Sequence, residues 1–480
     1  MAVDGRRGEL KGTTLWVVLA FFLAALGLRL LLLGSKSLWL DEAFSLRAAL
    51  SGQAALWSGK VELGHTPLSF WLLEQWAQLG RSEFVLRLPS AILGSLSVPL
   101  IYILAKDLAD RPVAVTAAGL TAFSPLLIWY SQELRDYALL VALGLLATIA
   151  AVKLFLRPAA GWWLLLIGAM TAAIYVHYGA VLLAPVQILL FVVLAAVGRT
   201  NWRRLVLWLA GCGVVGVAFG PWLNSPAAHA FPAASTRNSV TSLLLQHFNL
   251  TVRFDQFVLI AIVASLIAGA LGLALVYGLV RWMHVRPTSQ HWRAQKWLQL
   301  LAAGLFLILL VVSVVPRGYT LKRQLLLLWP YGLLLFAWLW PWRGRFHRLL
   351  LGMLALSLIA ALINVVLVPK EQWREAASFI ADHRQANDLV LLEPSYTVAP
   401  FDYYDLGRTP REGFPAKVDA AWLDGVLNHN DRIWLIESEL VQGLSKPPQA
   451  QSWLDAHGTL LDTIDFYRIH VRLYETGRAR

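Results

Sequence analysis

Cysteine is nearly absent from this sequence, since Cys212 is the single one among 480 residues. A lone cysteine cannot form an intrachain disulfide, so it gives no information about the redox compartment. Residues 371–480 also lack paired Cys and His at zinc-site spacing and any Gly-rich phosphate loop, and the chain has no compact carboxylate cluster. The sequence therefore gives no indication of a disulfide framework or of a resident metal.

Charged residues are also scarce, at 15% of the chain against about 25% in an ordinary soluble protein. Hydrophobic residues make up 58% of the sequence. They are concentrated in runs of about 17–25 residues, the length that crosses a hydrocarbon core about 30 Å thick. We therefore predict a polytopic α-helical membrane protein with about eleven spans. The predicted spans are 14–33, 84–106, 112–130, 136–156, 161–176, 180–197, 203–220, 255–281, 297–315, 324–341 and 347–368.

The surplus of basic residues, 41 Lys and Arg against 29 Asp and Glu, does not indicate a nucleic-acid partner. Basic residues lie in short connections on one side of the predicted membrane, whereas the long connections 34–83 and 221–254 are poorer in them. This positive-inside pattern predicts a cytoplasmic amino terminus, with the connection 34–83 and the segment after 369 on the outer side. The first run is too long for a signal peptide, and we expect it to be retained.

The composition changes after Pro369, where charged and apolar residues mix in the proportions of a soluble domain. We predict a transmembrane domain over 1–369, with amphipathic helices in its first outer connection, and a small outer α/β domain over 370–480. No motif in the second domain indicates a chemical role. Its pattern predicts helices at 371–384 and 449–457, strands at 389–392 and 432–436, and a strand or hairpin at 464–474.

Asp41 and Glu42 are two adjacent carboxylates that directly follow the first apolar run. One interpretation is electrostatic, because acids in the first turn of an interfacial helix offset the positive end of its dipole. The amphipathic segment from Phe44 to Trp57 is predicted to form such a helix. The other interpretation is catalytic, because a carboxylate at a membrane boundary is suited to accept a proton from a hydroxyl group. The pair alone does not separate these interpretations.

Further polar residues fall on the same outer side in the predicted topology. Each group also has a structural alternative. Arg87 could snorkel to headgroups, Glu133 and Arg135 could form an internal salt-bridge cluster, and His177 and Tyr178 could be a structural pair. Lys322 and Arg323 could bind lipid headgroups. Their convergence at one membrane level instead predicts a site for a phosphate-bearing lipid and a hydroxyl acceptor. These residues are His65 and Arg87; Glu133, Arg135 and Tyr137; His177 and Tyr178; and Lys322 and Arg323.

Six short elements, in their order and spacing, resemble those of integral-membrane glycosyltransferases of the GT-C type. The most similar branch is that of bacterial enzymes like protein O-mannosyltransferases and the aminoarabinose transferase of lipid A. Thr66 stands where the family usually has proline and Gln324 where tyrosine is common, and these departures leave the sugar open. The elements are Trp39-Leu40-Asp41-Glu42, His65-Thr66-Pro67-Leu68, Arg87 to Ser90, Ser131 to Tyr137, Arg323-Gln324-Leu325 and Trp373-Arg374.

The resemblance implies a GT-C fold and an inverting transferase in the inner membrane of a bacterium, with its active site facing the periplasm. The enzyme is expected to move a sugar from a polyprenyl-phosphate donor to a hydroxyl of a lipid, a glycan or a protein. Asp41 is expected to act as the base and Glu42 to orient the acceptor or the base. The other polar residues are expected to bind the donor phosphate or substrate, and the chemistry requires no metal or other cofactor.

Three other functions compete with this one. An O-antigen-type ligase or polymerase differs in using a pyrophosphate-linked oligosaccharide donor. A transporter or lipid flippase places its charges near the bilayer midplane, on broken helices and often in two related halves. A non-catalytic membrane assembly or receptor protein would not need Asp41, Arg135 and Arg323 at one membrane level. Charges at the outer boundary and the absence of a visible internal repeat favour the transferase.

Overall fold

The structure, a computed structural model, describes residues 2–58, 66–196, 198–229, 321–339, 346–415, 420–439 and 449–476. In this part of the chain, long apolar runs form helices. Five of these are long and apolar enough to cross a membrane: Glu83–Leu108, Tyr137–Leu156, Tyr178–Ala196, Trp202–Leu223 and Leu350–Leu367. The helical, multi-pass membrane architecture is therefore confirmed. The count of eleven stays a prediction, because the predicted spans 255–281 and 297–315 lie outside the described residues.

The helices of the first three quarters of the chain are numbered in chain order. They are α1 (Ala2–Leu30), α2 (Leu40–Leu50), α3 (Gln53–Trp57), α4 (Leu68–Trp76), α5 (Glu83–Leu108), α6 (Arg111–Ala122), α7 (Pro125–Ser131), α8 (Tyr137–Leu156), α9 (Ala160–Val176), α10 (Leu183–Ala196), α11 (Trp202–Leu223), α12 (Pro226–His229), α13 (Leu321–Leu339) and α14 (Phe346–Leu367), with a 3₁₀ turn at Tyr178–Leu182 before α10.

The third predicted span, 112–130, consists of two helices, α6 and α7, which meet at an angle of 52°. The cause is local. Ser124 adopts an extended conformation and its Oγ accepts a hydrogen bond from the Leu127 N–H at 3.4 Å, so it caps the second helix. Pro125 follows in the first turn, where its missing N–H has no cost.

The amphipathic segment from Phe44 to Trp57 belongs to two helices, α2 and α3. The chain turns at Gly52, whose φ of 81° suits glycine because it has no Cβ. The helix that carries Asp41 therefore ends at Leu50.

Contacts divide the chain into two compact units. The first comprises Met1–Leu33, Ser51–Trp76 and Arg87–Val368, and the second comprises Gly34–Leu50, Ala77–Leu86 and Pro369–Arg480. Helix α2, with both candidate acids, thus groups with residues from Pro369 onward. The domains predicted over 1–369 and 370–480 stay a prediction.

The second unit contains a five-stranded sheet in the order β2-β1-β3-β5-β4. Strands β2, β1 and β3 are parallel, whereas β5 runs antiparallel to both β3 and β4. Val390 pairs with Arg411 on one side and with Trp434 on the other. The elements are α15 (Trp373–His383), β1 (Asp388–Glu393), α16 (Val398–Asp405), β2 (Arg411–Gly413), α17 (Ala420–His429), β3 (Arg432–Ser438), α18 (Gln449–His457), β4 (Gly458–Phe466) and β5 (Ile469–Thr476), with a 3₁₀ turn at Ser395–Thr397.

The central strands β1 and β3 are buried on both faces, as their apolar sequences require. Val390 and Leu392 pack with Trp373 of α15 on one face, whereas Leu389 and Leu391 belong to the cluster on the opposite face. The α/β architecture predicted for this segment is present. Every predicted helix and strand of the segment has a counterpart, and α16, β2 and α17 are additional.

In the first unit, a polar contact fixes the end of α1. Gln132 Nε2 donates hydrogen bonds to the carbonyl groups of Leu28, Arg29 and Leu31, at 3.3, 3.1 and 2.8 Å. Carbonyl groups in the last turn of a helix have no partner within the helix, so a side-chain donor there is stabilising. Arg29 Nε in turn donates to Ser131 Oγ at 3.2 Å. Residues 131–132 are therefore bound to the end of the helix that precedes the acids.

Gly94 lets α5 approach Ser131 closely, because a Cβ at position 94 would lie 2.0 Å from Ser131 Oγ. We expect Gly94→Ala to destabilise the protein by about 1–3 kcal/mol through overpacking. The matched control is Gly168→Ala in α9, where nothing lies within 4 Å of the new Cβ and alanine is the better helix former. The measurement is the thermal unfolding midpoint in detergent. Equal midpoints for the two variants would contradict the close approach.

Candidate active site

The two acids begin α2. The Trp39 carbonyl accepts the first helical hydrogen bond from the Ala43 N–H at 3.0 Å. Glu42 Oε2 accepts one from the Trp39 N–H at 3.2 Å. A glutamate at the third helical position that reaches back to the cap residue is half of a capping box. Glu42 therefore helps to start the helix, and its side chain is fully buried.

Asp41 has a different environment although it is the next residue. It is half-buried, and its backbone carbonyl accepts a hydrogen bond from Ser45 Oγ at 2.9 Å. Consecutive residues of an α-helix point about 100° apart, since 3.6 residues make a turn. The helix thus buries Glu42 and leaves the Asp41 carboxylate as the more accessible of the two.

A buried cation neutralises Glu42. Lys370 Nζ lies 3.4 Å from Glu42 Oε2, and both side chains are buried. A carboxylate without solvent or a partner is strongly disfavoured, so this ion pair allows Glu42 to stay charged inside the protein. Lys370 was missed at the sequence level, where the sole signal is a basic residue directly after Pro369.

Residues 34–39, which lead to α2 and which we call the acidic loop, are held by side chains from α15 and α16. The Arg374 guanidinium binds the Glu83 carboxylate and donates to the backbone carbonyls of Gly34 and Ser35. Ser37 Oγ donates to Glu375 Oε2 at 3.0 Å and accepts from the Arg374 N–H at 3.3 Å. These contacts explain the Trp373-Arg374 element of the sequence, because Arg374 binds the loop that leads to the acids.

Tyr404 completes this network. Its hydroxyl accepts a hydrogen bond from the Leu38 N–H at 2.6 Å and donates one to Glu83 Oε1 at 2.9 Å. Burial and the neighbouring Glu83 carboxylate both raise the pKa of Tyr404, so the hydroxyl keeps its proton at neutral pH. The same hydroxyl therefore serves as donor and acceptor at one point of the acidic loop.

Three predicted residues of the first unit lie at the start of α8, two in the connection before it and Tyr137 as its first residue. Glu133 and Tyr137 are buried, and Arg135 is half-buried. The Arg135 guanidinium lies 5.8 Å from the centre of the Tyr137 ring, and the Arg135 carbonyl accepts a hydrogen bond from Ser90 Oγ at 3.2 Å. The connection is thus an ordered part of the core and not a solvated turn.

Arg87 is buried, and its Nη1 donates to the Leu33 carbonyl at 3.0 Å. This buried position does not fit the alternative that Arg87 snorkels to lipid headgroups. It binds the backbone next to the acidic loop, where α1 has already ended.

His177 lies between the apolar helices α9 and α10, before the 3₁₀ turn, and is buried. Its Nδ1 accepts a hydrogen bond from the Gly179 N–H at 2.9 Å, which assigns the neutral ring proton to Nε2. Burial lowers the pKa of His177, Asp136 raises it and Arg135 lowers it, with a net decrease. At neutral pH this histidine is therefore an uncharged donor.

Tyr178 accepts a hydrogen bond from Trp222 Nε1 at 2.8 Å, and its ring lies edge-on to Phe219. Its hydroxyl is used within an aromatic cluster. The side chains of the remaining predicted residues are not among those that the structure describes. His65 lies outside the described residues, and Lys322 and Arg323 lie in the first turn of α13 with side chains outside the described part.

The described residues contain no group of three or more His, Cys, Asp or Glu side chains that could hold a metal ion. The expectation that no metal is required stays a prediction.

The Tyr404 hydroxyl yields a prediction about the acidic loop. We expect Tyr404→Phe to lower the stability of the second unit by about 1–3 kcal/mol, because the Leu38 N–H loses its acceptor. Tyr467→Phe is the matched control, since its hydroxyl has no hydrogen-bond partner among the described residues. Protection of the Leu38 amide from hydrogen exchange measures the effect. Unchanged protection in the Tyr404 variant would be inconsistent with this contact.

A family model and several solved structures are similar to this chain. Residues 64–224 match the family model described as dolichyl-phosphate-mannose-protein mannosyltransferase. No curated protein sequence matches the chain. Among solved structures, ArnT from Cupriavidus metallidurans has a TM-score of 0.54 at 16% identity, over 96% of this chain and 98% of its own.

Two further solved structures share the fold. The archaeal oligosaccharyltransferase AglB from Archaeoglobus fulgidus, in complex with an inhibitory peptide and a dolichol-phosphate, has a TM-score of 0.53 at 11% identity, over 98% of this chain and 74% of its own. The arabinofuranosyltransferase AftD from Mycobacteria has a TM-score of 0.54 at 17% identity, over 96% of this chain and 40% of its own. The chain therefore has the fold of the GT-C membrane glycosyltransferases, and the resemblance seen in its sequence is confirmed.

Proposed function

We propose that this protein is an inverting glycosyltransferase that uses a polyprenyl-phosphate-linked sugar as donor and a hydroxyl group as acceptor. The observation that carries the proposal is the half-buried Asp41 carboxylate at the start of a helix whose neighbouring acid is buried and neutralised. Such an arrangement holds one carboxylate in a fixed position while it remains accessible to substrate. The shared fold with ArnT, AglB and AftD supports the same conclusion.

Asp41 acts as the general base in this proposal. Its carboxylate accepts the proton of the acceptor hydroxyl while the hydroxyl oxygen forms a bond to the anomeric carbon. The bond between that carbon and the phosphate oxygen breaks, and its electron pair leaves with the lipid phosphate. A single displacement of this kind inverts the anomeric centre. Glu42 serves by fixing the first turn of α2, in agreement with the orienting role expected from the sequence.

The leaving group is a lipid phosphate whose charge increases in the transition state. Arg135, Lys322 and Arg323 are the cations proposed to stabilise it, with His65 and Arg87 assisting in substrate binding. His177 contributes an uncharged Nε2–H donor, and Glu133, Tyr137 and Tyr178 support the shape of the site. Support for a lipid phosphate ligand comes from the solved structures of ArnT with undecaprenyl phosphate and of AglB with a dolichol-phosphate.

The proposed location follows from the basic connections. The protein spans the inner membrane of a bacterium with its amino terminus in the cytoplasm. Asp41 and the residues after 369 face the periplasm, where a lipid, a glycan or a protein supplies the hydroxyl group.

Asp41→Asn tests the base. We expect transfer to fall by about 10²–10⁴-fold because the amide cannot accept the proton. The assay offers a panel of undecaprenyl-phosphate mannose and arabinose donors with cell-envelope acceptors and measures release of undecaprenyl phosphate. Asp382→Asn, an exposed acid on α15, is the matched control. Wild-type turnover in the Asp41 variant would remove the assignment.

Arg323→Ala tests the phosphate-binding cation. We expect the affinity for undecaprenyl phosphate to fall about tenfold or more, because a charge-assisted hydrogen bond contributes about 1.5–3 kcal/mol. Binding of labelled undecaprenyl phosphate to the purified protein measures it. Arg204→Ala, an arginine in α11 that binds backbone carbonyls, is the comparison. Equal affinities in the two variants count against the role of Arg323.

A further inference from the structure

Lys370 and Glu371 are two charged residues that the proposed reaction does not use, and both are buried, with 9% and 2% of their surface exposed. They are adjacent, they precede α15, and they belong to the same compact unit as α2. Two buried ionisable groups side by side are costly unless each has a partner. Their partners are therefore informative about their role.

Lys370 forms an ion pair with Glu42, at 3.4 Å. Glu42 at the same time caps the helix through the Trp39 N–H. Removing the cation would take a counter-charge away from a buried carboxylate, which is far more disruptive than removing a whole pair. Glu42 would then take up a proton or move towards water, and either change weakens the cap that fixes the first turn of α2. Asp41 lies in that turn.

Glu371 faces the same turn from another direction. Its Oε2 accepts a hydrogen bond from Trp373 Nε1 at 2.6 Å, and its Oε1 makes no hydrogen bond of ordinary geometry within the described part of the chain. Burial raises the pKa of Glu371 to about 7, and the Asp41 carboxylate adds to the increase. The Trp373 hydrogen bond, the Arg468 guanidinium and the Leu40 N–H act in the opposite direction. Glu371 therefore changes charge near neutral pH.

The charged groups around Glu371 come from three parts of the unit. Asp41 comes from α2, Arg468 from the turn between β4 and β5, and Lys370 is its chain neighbour, bound to Glu42. An ionised Glu371 places a second negative charge beside the Asp41 carboxylate, and a protonated Glu371 does not.

We propose that Lys370 and Glu371 are positioning residues for Asp41: Lys370 fixes the first turn of α2 through Glu42, and the carboxyl group of Glu371 sets the charge beside the base. The proposal rests on the proposed function, in which Asp41 accepts the proton. It gives the segment after Pro369 a role in positioning the proposed base.

The first test concerns Lys370. We expect Lys370→Met to lower kcat by about 10- to 100-fold through misplacement of Asp41, while the KM for the donor stays within about twofold. Lys370→Arg keeps the charge and should recover most of the rate. The double variant Lys370→Met with Glu42→Gln removes both charges and should lose less than the product of the two single losses. Multiplicative losses, or a normal rate for Lys370→Met, would overturn the role of Lys370.

The second test concerns Glu371 and includes a readout that needs no substrate. Because folding raises the pKa of this acid, its contribution to stability is present below the unfolded pKa of about 4.5 and is lost as pH rises to about 7. The apparent unfolding midpoint of the wild type should therefore fall between pH 5 and pH 7 relative to that of Glu371→Gln. Glu412→Gln, an exposed acid on β2, should behave like the wild type.

The same variants are then assayed for transfer. The wild-type rate should change through an inflection near pH 7, where Glu371 gains its charge beside the base, and Glu371→Gln should lack this inflection. Arg468→Gln should move the inflection to higher pH, because the guanidinium lowers the pKa of Glu371. An inflection retained in Glu371→Gln, or identical pH dependence of the two unfolding midpoints, would overturn the role of Glu371. An active Asp41→Asn protein would instead refute the proposed function, whatever these variants do.

Discussion

The buried ion pair between Glu42 and Lys370 is the interaction on which the candidate active site depends. It lets one of two adjacent acids enter the protein interior with its charge, where it caps α2. The helix then leaves the other acid half-buried at a fixed point. Desolvation makes such a pair a poor source of net stability. Its value here is geometric, because Glu42 caps the first turn of α2 and so fixes where the helix begins.

Much of the fold could be predicted because its causes are local. An apolar run of the right length forms a membrane helix, and alternating buried strands with amphipathic helices give the sheet domain, whose helix at 449–457 was predicted with the bounds that the structure has. The placement of Asp41 and Glu42 in a first helical turn was also predictable, since acids favour that position. The helix-stabilising interpretation fits Glu42, which caps α2, whereas the catalytic role of Asp41 stays a prediction.

The support of the acids could not be predicted, because its partners lie far apart in the sequence. Lys370 and Glu42 are separated by 328 residues, and Tyr404 and Glu83 by 321. No periodicity or motif links such positions in a single sequence. The bend between α6 and α7 could in principle be predicted from Ser124 and Pro125, which favour a helix start. The apolar run continues through the bend and conceals the break. Arg374 belongs to a family element of the sequence, but nothing in the sequence links it to the acidic loop that it binds.

The membership of residues 34–50 in the unit that continues from Pro369 has a consequence for biosynthesis. The ribosome makes Glu42 hundreds of residues before it makes Lys370, so the nascent chain carries the acid into the membrane without its cation. The helix start can therefore reach its final arrangement only after most of the chain has been translated. A product that stopped before residue 370 would lack the lysine that pairs with the buried Glu42 carboxylate at the start of α2.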